Sequence, residues 1–260
     1  MRDMKLRANS RYILELLAAL GSEAVQGFLR FPRFYKTVGC SSEDLFWRRS
    51  KALSERGLLT TSGERATGNW VATLTSKASE TLSDGIEPET EWNTPWDKHW
   101  RLFAFDLPQN SGAQRQALRL WLKQRRFGKL QGSLWITPKR LDDWAGDLDR
   151  RKIDPNAVAL MNGTFEGKGS PQSYARSSWN FALINERYQA YLDFLEARDP
   201  QTVDDGQFSD WFQSEIALWR KAFDLDPFLP RELWPKPYLG PQAYDARAKA
   251  FADWKSRLLG

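Results

Sequence analysis

The sequence predicts an α+β chain in three parts. These are an N-terminal winged helix-turn-helix over residues 1–84, a central ferredoxin-like α/β sandwich over 96–175 and a helical C-terminal domain over 176–260. Three observations predict it. Three helical apolar patterns are followed by two short strands around a basic turn. Strand and helix patterns then alternate through the middle, and the remainder keeps a helical period wherever prolines do not interrupt it. A length of 260 residues favours two or three domains over one.

Asn9 or Ser10 can cap a first helix running to about Leu20, with Ile13, Leu16, Leu17 and Leu20 on one stripe. A second short helix fits Ser22 to Leu29. The third opens at Ser41-Ser42, where a hydroxyl can cap, Glu43 and Asp44 suit the positive end of the dipole, and Gly57 stops it. Phe46, Ser50 and Leu53 then face inward, leaving Trp47, Arg48, Lys51 and Glu55 outward. Leu58 to Thr61 and Asn69 to Leu74 read as two strands around Ser62–Gly68, and Thr75 starts another helix. Asp84 to Thr94 has no periodicity; residues 85–95 are expected as a linker.

Trp100 to Asp106 is an apolar strand. Ser111 to Arg126 is a helix with Ala117, Leu118, Trp121 and Leu122 on one side and Arg115, Arg119, Lys123 and Arg126 on the other. Gly128 to Ile136 is a strand, Leu141 to Arg151 a helix, Ala157 to Met161 a strand and Gly163 to Ser173 a loop. This is the order of a small α+β sandwich of the ferredoxin-like kind. Helices follow at Ser178–Leu195, Phe208–Phe223 and Ala243–Leu259. The prolines at 227, 230 and 235 make the segment before the last helix a rigid corner, packed against the middle domain.

With 41% hydrophobic and 27% charged residues the chain can bury a core. No apolar run matches a bilayer, the first residues lack a signal-peptide core, and Cys40 stands alone, so a reducing cytoplasm without membrane attachment is expected. One cysteine and one histidine (His99) cannot assemble a zinc site of nitrogen and sulfur ligands, and no cofactor motif is present. A hydrolytic triad would have to rest on His99 alone, with no nucleophile motif near it, so hydrolase function is not expected. The net charge is +5; basic residues outnumber acidic ones up to about residue 175 and the balance then reverses. A basic front and an acidic rear suit a polyanionic partner.

Three blocks of residues resemble the PaaX-type regulators, the repressors of phenylacetic-acid catabolism. The first is Leu53–Leu59 with the turn and Leu74-Thr75. The second is Trp100–Pro108, Arg119, Leu122, Phe127–Leu130 and Trp135–Pro138. The third is Asp226–Pro230 with Leu233, Pro235, Gly240 and Ala243. The resemblance spans about Arg11 to Leu258. It implies a homodimeric repressor with a winged-helix domain, a ferredoxin-like middle domain that pairs the chains and a helical end. It also implies release from double-stranded operator DNA by an aryl-acyl-coenzyme A thioester such as phenylacetyl-CoA. The chain departs from the family at Trp47 and Ala52, where arginines are common, which leaves the operator sequence and the effector open.

Candidate DNA contacts are Ser42, Trp47, Arg48, Arg49 and Lys51 on the third helix, with Arg65 and Asn69 on the hairpin. Outward cations one turn apart can reach base edges, and wing cations can meet phosphates. The stripe Arg115, Arg119, Lys123 and Arg126 reads either as a holder of coenzyme A phosphates or as a solvated helix face. The middle domain also looks similar to small CRISPR-adaptation nucleases. This makes Asp106 the one candidate for metal-dependent phosphodiester cleavage, with a dimer mate's copy across a twofold axis. A turn aspartate is the other reading.

Overall fold

Leu14, Leu16, Leu17 and Leu20 line the inner face of α1 (Ala8–Leu29), and all are buried. The two helices expected here join through Gly21, whose φ of 72° and ψ of 169° only a residue without Cβ adopts readily. The computed structural model describes residues 6–30, 33–108, 111–140, 144–150, 153–167, 169–198, 204 and 207–259; side chains of 22–27, 145 and 257–259 are outside the description. The chain divides into two units: Met1–Glu87 with Glu186–Asp224 and Leu239–Gly260, and Pro88–Asn185 with Leu225–Tyr238.

In the first unit, a short turn at Phe34–Lys36 leads to α2 (Glu43–Glu55). Ser42 caps α2 by accepting from the Leu45 amide at 3.2 Å, and the bond from Leu58 N to Leu53 O (2.9 Å) closes its far end. β1 (Leu59–Ser62) and β2 (Val71–Leu74) pair antiparallel, Leu59 opposite Leu74 and Ser62 opposite Val71. α3 (Ser76–Ser83) follows, capped by Thr75. These elements share one core with α9 (Phe208–Phe223) and α10 (Gly240–Leu259), where Phe208, Phe212, Ile216, Phe251 and Trp254 join Ile13, Leu17, Phe46 and Leu53.

Inside this unit lies an ionic hub. Glu215 is fully buried and accepts from Arg247 Nε (2.7 Å) and from the Tyr191 hydroxyl (2.8 Å). Glu15, buried on α1, lies 3.4 Å from Arg11 and 3.8 Å from Arg247. Burial pushes the Glu15 carboxyl up, against the pull of Arg247 and Arg11. Burial alone would lower the Arg247 guanidinium, but the Glu215 carboxylate beside it raises it overall. The Tyr191 phenol is raised by burial and then by the charge of Glu215.

The second unit begins with α4 (Pro88–Asn93), then β3 (Trp100–Phe105), α5 (Gly112–Gln124), β4 (Gly128–Gln131), β5 (Leu134–Thr137), α6 (Trp144–Arg150), β6 (Val158–Gly163), α7 (Pro171–Ser178) and the start of α8 (Phe181–Ala197). The four strands form one antiparallel sheet in the order β4-β5-β3-β6. Phe103, Phe105 and Trp135 on one face pack with Leu118, Trp121 and Leu122 of α5 and Leu148 of α6. On the other face Trp179 lies against Gly128, while Leu102, Ala104, Leu134, Ala159 and Met161 remain partly or fully exposed.

Several expectations change. The C-terminal helices are not a separate body: α9 and α10 complete the core around α1, and residues 225–238 belong with the sheet. The expected linker holds α4, because Trp92 is an anchor; it packs on Phe228, Trp234 and Tyr238, and its Nε1 donates to the Tyr238 hydroxyl at 3.0 Å. The single strand expected at 128–136 is a hairpin turning through Gly132. The expected loop at 163–173 gives way to α7, and Asn180, accepting from Leu183 N, starts α8 afresh. The ends of the expected helix at 141–151 lie partly outside the described residues. As expected, the proline-rich segment is a corner: buried Asp226 accepts from Phe228 N (2.8 Å) and the Tyr238 hydroxyl (2.7 Å).

Candidate nucleic-acid interface

The buried side of α2 is Phe46, Ser50 and Leu53, as their spacing predicts. Its opposite side presents Arg48 and Lys51, both exposed and one turn apart. Arg48 makes no hydrogen bond or ion pair with a described residue. Lys51 faces Glu55 at 3.9 Å with both side chains in solvent, a pairing too weak to hold the ammonium. Two exposed cations thus stand on a helix whose rear is buried in the core.

The other candidates are engaged locally. Ser42 is the N-cap of α2. Trp47 is half-buried rather than outward; it meets Trp70 edge-on at 5.0 Å and Phe46 at 5.1 Å, and its Nε1 donates to Glu43 at 2.9 Å. The hairpin covers this second side of α2, which the helical period alone does not reveal. Arg49 is half-buried, and its charge draws down the Cys40 thiol against the larger upward push of burial. Asn69 folds the turn, its Oδ1 accepting from Glu64 N (2.7 Å) and Thr67 Oγ1 (2.6 Å). Gly63, at φ 75°, is required there, since an added Cβ would sit 2.2 Å from Asn69 O.

Arg65 bridges the hairpin to α2. It pairs with Glu43 at 2.9 Å and Asp44 at 3.2 Å, and its guanidinium lies 5.3 Å over the Trp47 ring. Glu43 and Asp44, expected only to complement the helix dipole, therefore also set where the hairpin tip lies. A cleft of about 430 Å³ opens between helix and hairpin, walled by Trp47, Lys51, Thr61, Arg65 and Trp70.

The stripe on α5 disperses. Arg115 donates to the carbonyls of Leu107 (2.8 Å) and Pro108 (2.9 Å). Arg126 lies beyond the helix end with positive φ, donating to Asp226 O at 2.5 Å with its guanidinium 4.9 Å over Phe228. Only Arg119 and Lys123 share the exposed face. Asp106 stands exposed after β3, its amide donating to Ala157 O at 2.9 Å; among the described residues no three His, Cys, Asp or Glu gather to hold a metal. At the opposite end of β3, the hydrogen bonds of Arg101 hold Asp97 well below the usual carboxylate range, against a smaller opposing effect of burial. His99 is spent on the Asp97 carbonyl, 2.8 Å from its Nδ1.

Residues 93–175 match the family described as the PaaX protein central Cas2-like domain. Over this segment the chain is similar to the central domain of PaaX proteins. The match takes in the second block of residues on which the resemblance rested, from Trp100 through Pro138, and bears the resemblance out there. PaaX proteins are a family of transcriptional regulators. Among solved structures, the uncharacterized protein Rv0674 from Mycobacterium tuberculosis is similar over 98% of this chain and 100% of its own, with a TM-score of 0.63 and 21% sequence identity. At that identity the likeness is one of fold alone. No curated protein matches the chain. No described helix is long and apolar enough to cross a membrane.

Proposed function

We propose that this protein is a DNA-binding transcriptional repressor that reads a pseudo-palindromic operator as a homodimer and is released by a small effector. The observation that carries the reading is the pair Arg48 and Lys51, exposed on a helix whose other side is locked in the core. Helices followed by a hairpin are the order of a winged helix-turn-helix, and α2 is its recognition helix. There Arg48 reaches base edges, Lys51 meets phosphate, and Arg65 at the hairpin tip is close enough to exchange an acid partner for a backbone phosphate. The sheet order β4-β5-β3-β6 with α5 and α6 on one face supports the ferredoxin-like reading of the middle. The open apolar face at Leu102, Ala104, Leu134, Ala159 and Met161 is where a second copy pairs. The effector inherited from the resemblance is an aryl-acyl-coenzyme A thioester such as phenylacetyl-CoA, and the cytoplasm is the setting.

The test is titration of the purified protein against DNA from upstream of its own gene at several salt concentrations, repeated with coenzyme A thioesters. Tight, sequence-preferring binding with a steep salt dependence is expected, from half-sites about 10 base pairs or a multiple apart. Absence of sequence preference at every salt concentration overturns the regulator reading. It also sends attention to Asp106 and magnesium-dependent cleavage, which Asp106→Asn must abolish.

A further inference from the structure

In the second unit, α7 and the proline-rich segment 231–238 border a cleft of about 670 Å³, within the range of small-molecule sites. Its walls are fixed. Gln172 donates to Glu232 O at 2.5 Å and Arg176 to Lys236 O at 3.1 Å, stitching the helix to the segment. Trp234 is held by its bond to Leu229 O (2.8 Å), and Tyr238 by its bond to Asp226.

Into this frame come three cations: Arg176, Arg231 and Lys236. None is paired with a carboxylate among the described residues, whereas Arg11, Arg65, Arg101, Arg220 and Arg247 all are. Arg231 uses only its Nε, on Asn93 Oδ1 at 2.9 Å, and its guanidinium lies 5.1 Å over the Trp234 ring. Its two terminal nitrogens meet no acceptor among the described residues. Lys236 carries no side-chain partner there either. The one acid on the cleft, Glu232, accepts the Trp96 amide at 3.4 Å.

Three cations against one acid, set beside two oriented aromatic rings, recognise an anion that also carries a flat group. A guanidinium edge matches two phosphate oxygens at once, and an indole face adds dispersion to a planar ring. We propose that this cleft binds a small organic phosphate bearing a planar ring. Arg231, Arg176 and Lys236 take the phosphate, and Trp234 and Tyr238 take the ring. A free nucleotide and a coenzyme A thioester share this chemistry. That the cleft is the regulator's effector site rests on the reading above; that it is an anion site does not.

Calorimetric titration of the full chain with ADP, coenzyme A, phenylacetyl-CoA and inorganic pyrophosphate tests the proposal without DNA. At least one ring-bearing phosphate is expected to bind, more tightly than pyrophosphate and more weakly as salt rises. Arg231→Gln and Lys236→Gln should each weaken it by about tenfold, the scale of a lost charge-assisted contact. Lys236 is exposed and its side chain supports no other described group, so its variant folds normally. Arg119→Gln and Lys123→Gln, on α5 and outside the cleft, should change nothing. Binding of none of the ring-bearing phosphates, or binding indifferent to both cleft variants, overturns the site. Pyrophosphate binding as tightly as coenzyme A removes the ring from it. Failure to bind operator DNA leaves this result standing and sinks only the regulator reading.

Discussion

Replacing Arg247 with methionine is the sharpest probe of how the first unit is held. Methionine keeps much of the stem that lies against Trp219 and Phe251, whose rings sit 4.9 and 5.1 Å from the guanidinium, but removes the charge. Among the described residues, Glu215 then keeps only the Tyr191 hydroxyl as a hydrogen-bond or ion-pair partner, and Glu15 only Arg11. Breaking a buried pair by removing one partner costs about 3–5 kcal/mol, because a charge is left uncompensated. Set against a typical stability of roughly 5–15 kcal/mol, the loss is large. The sign with pH follows. Burial already holds the Glu15 carboxyl above its ordinary value, and the variant removes the opposing pull of Arg247, so the folded state holds an extra proton there. Stability is then full below the unfolded value and falls as pH rises through the folded value. Urea unfolding followed by tryptophan fluorescence should show a deficit at about pH 7.5 that shrinks toward about pH 5. Adding Glu215→Gln to the variant should recover part of it, since a neutral amide needs no counter-charge. A midpoint equal to wild type, or a deficit independent of pH, refutes the reasoning.

Arg48→Ala should lower operator affinity by roughly tenfold, from about 1–3 kcal/mol per base contact, with melting unchanged; an unaltered affinity in the folded variant removes Arg48 from the interface. Gly63→Ala should destabilise the hairpin by about 1–3 kcal/mol, because φ is 75° and the new Cβ meets the Asn69 carbonyl; a thermal melt matching wild type would mean the turn relaxes freely. Asp97→Asn bears on acid stability. Its carboxylate is held low, so its contribution is present above the ordinary value of 3.8 and is lost as pH falls through the folded value. The variant should start less stable at neutral pH and lose less on acidification, and parallel acid curves for the two proteins would contradict this.

Local features of the first unit were legible because their signals are local. The cap at Ser42, the inward set Phe46, Ser50 and Leu53, and the stop at Gly57 all lie within one helix length. The orientation of Trp47 was not, because a second element decides it: Trp70, arriving on the hairpin, gives α2 a second covered side. The pairing of Arg65 with Glu43 and Asp44 likewise joins residues that no spacing rule connects. α4 has six residues and one buried aromatic, too few for a period to show. The division into units was hidden for a related reason. The apolar faces of α9 and α10 read correctly as faces, but a helical period does not name its partner, and that partner is α1, some two hundred residues away.

The candidate DNA helix belongs to the first unit and the cationic cleft to the second, so an effector acting through the cleft must satisfy a thermodynamic condition that needs no picture of the route between them. A ligand that binds the free protein and the operator complex equally well shifts nothing, however tight it is. To weaken operator binding tenfold it must prefer the free protein by the same factor, about 1.4 kcal/mol. Linkage makes this reciprocal, which gives a test with two independent readings. The ligand's dissociation constant should be higher on the protein–DNA complex than on the free protein, by the ratio in which saturating ligand raises the DNA dissociation constant. Lys236→Gln should weaken ligand binding to both forms and move the ligand concentration for half-release upward, while operator affinity without ligand stays at the wild-type value. If Lys236→Gln instead lowers operator affinity with no ligand present, the cleft's charge is contacting DNA directly. The linkage between two separate sites then has no basis.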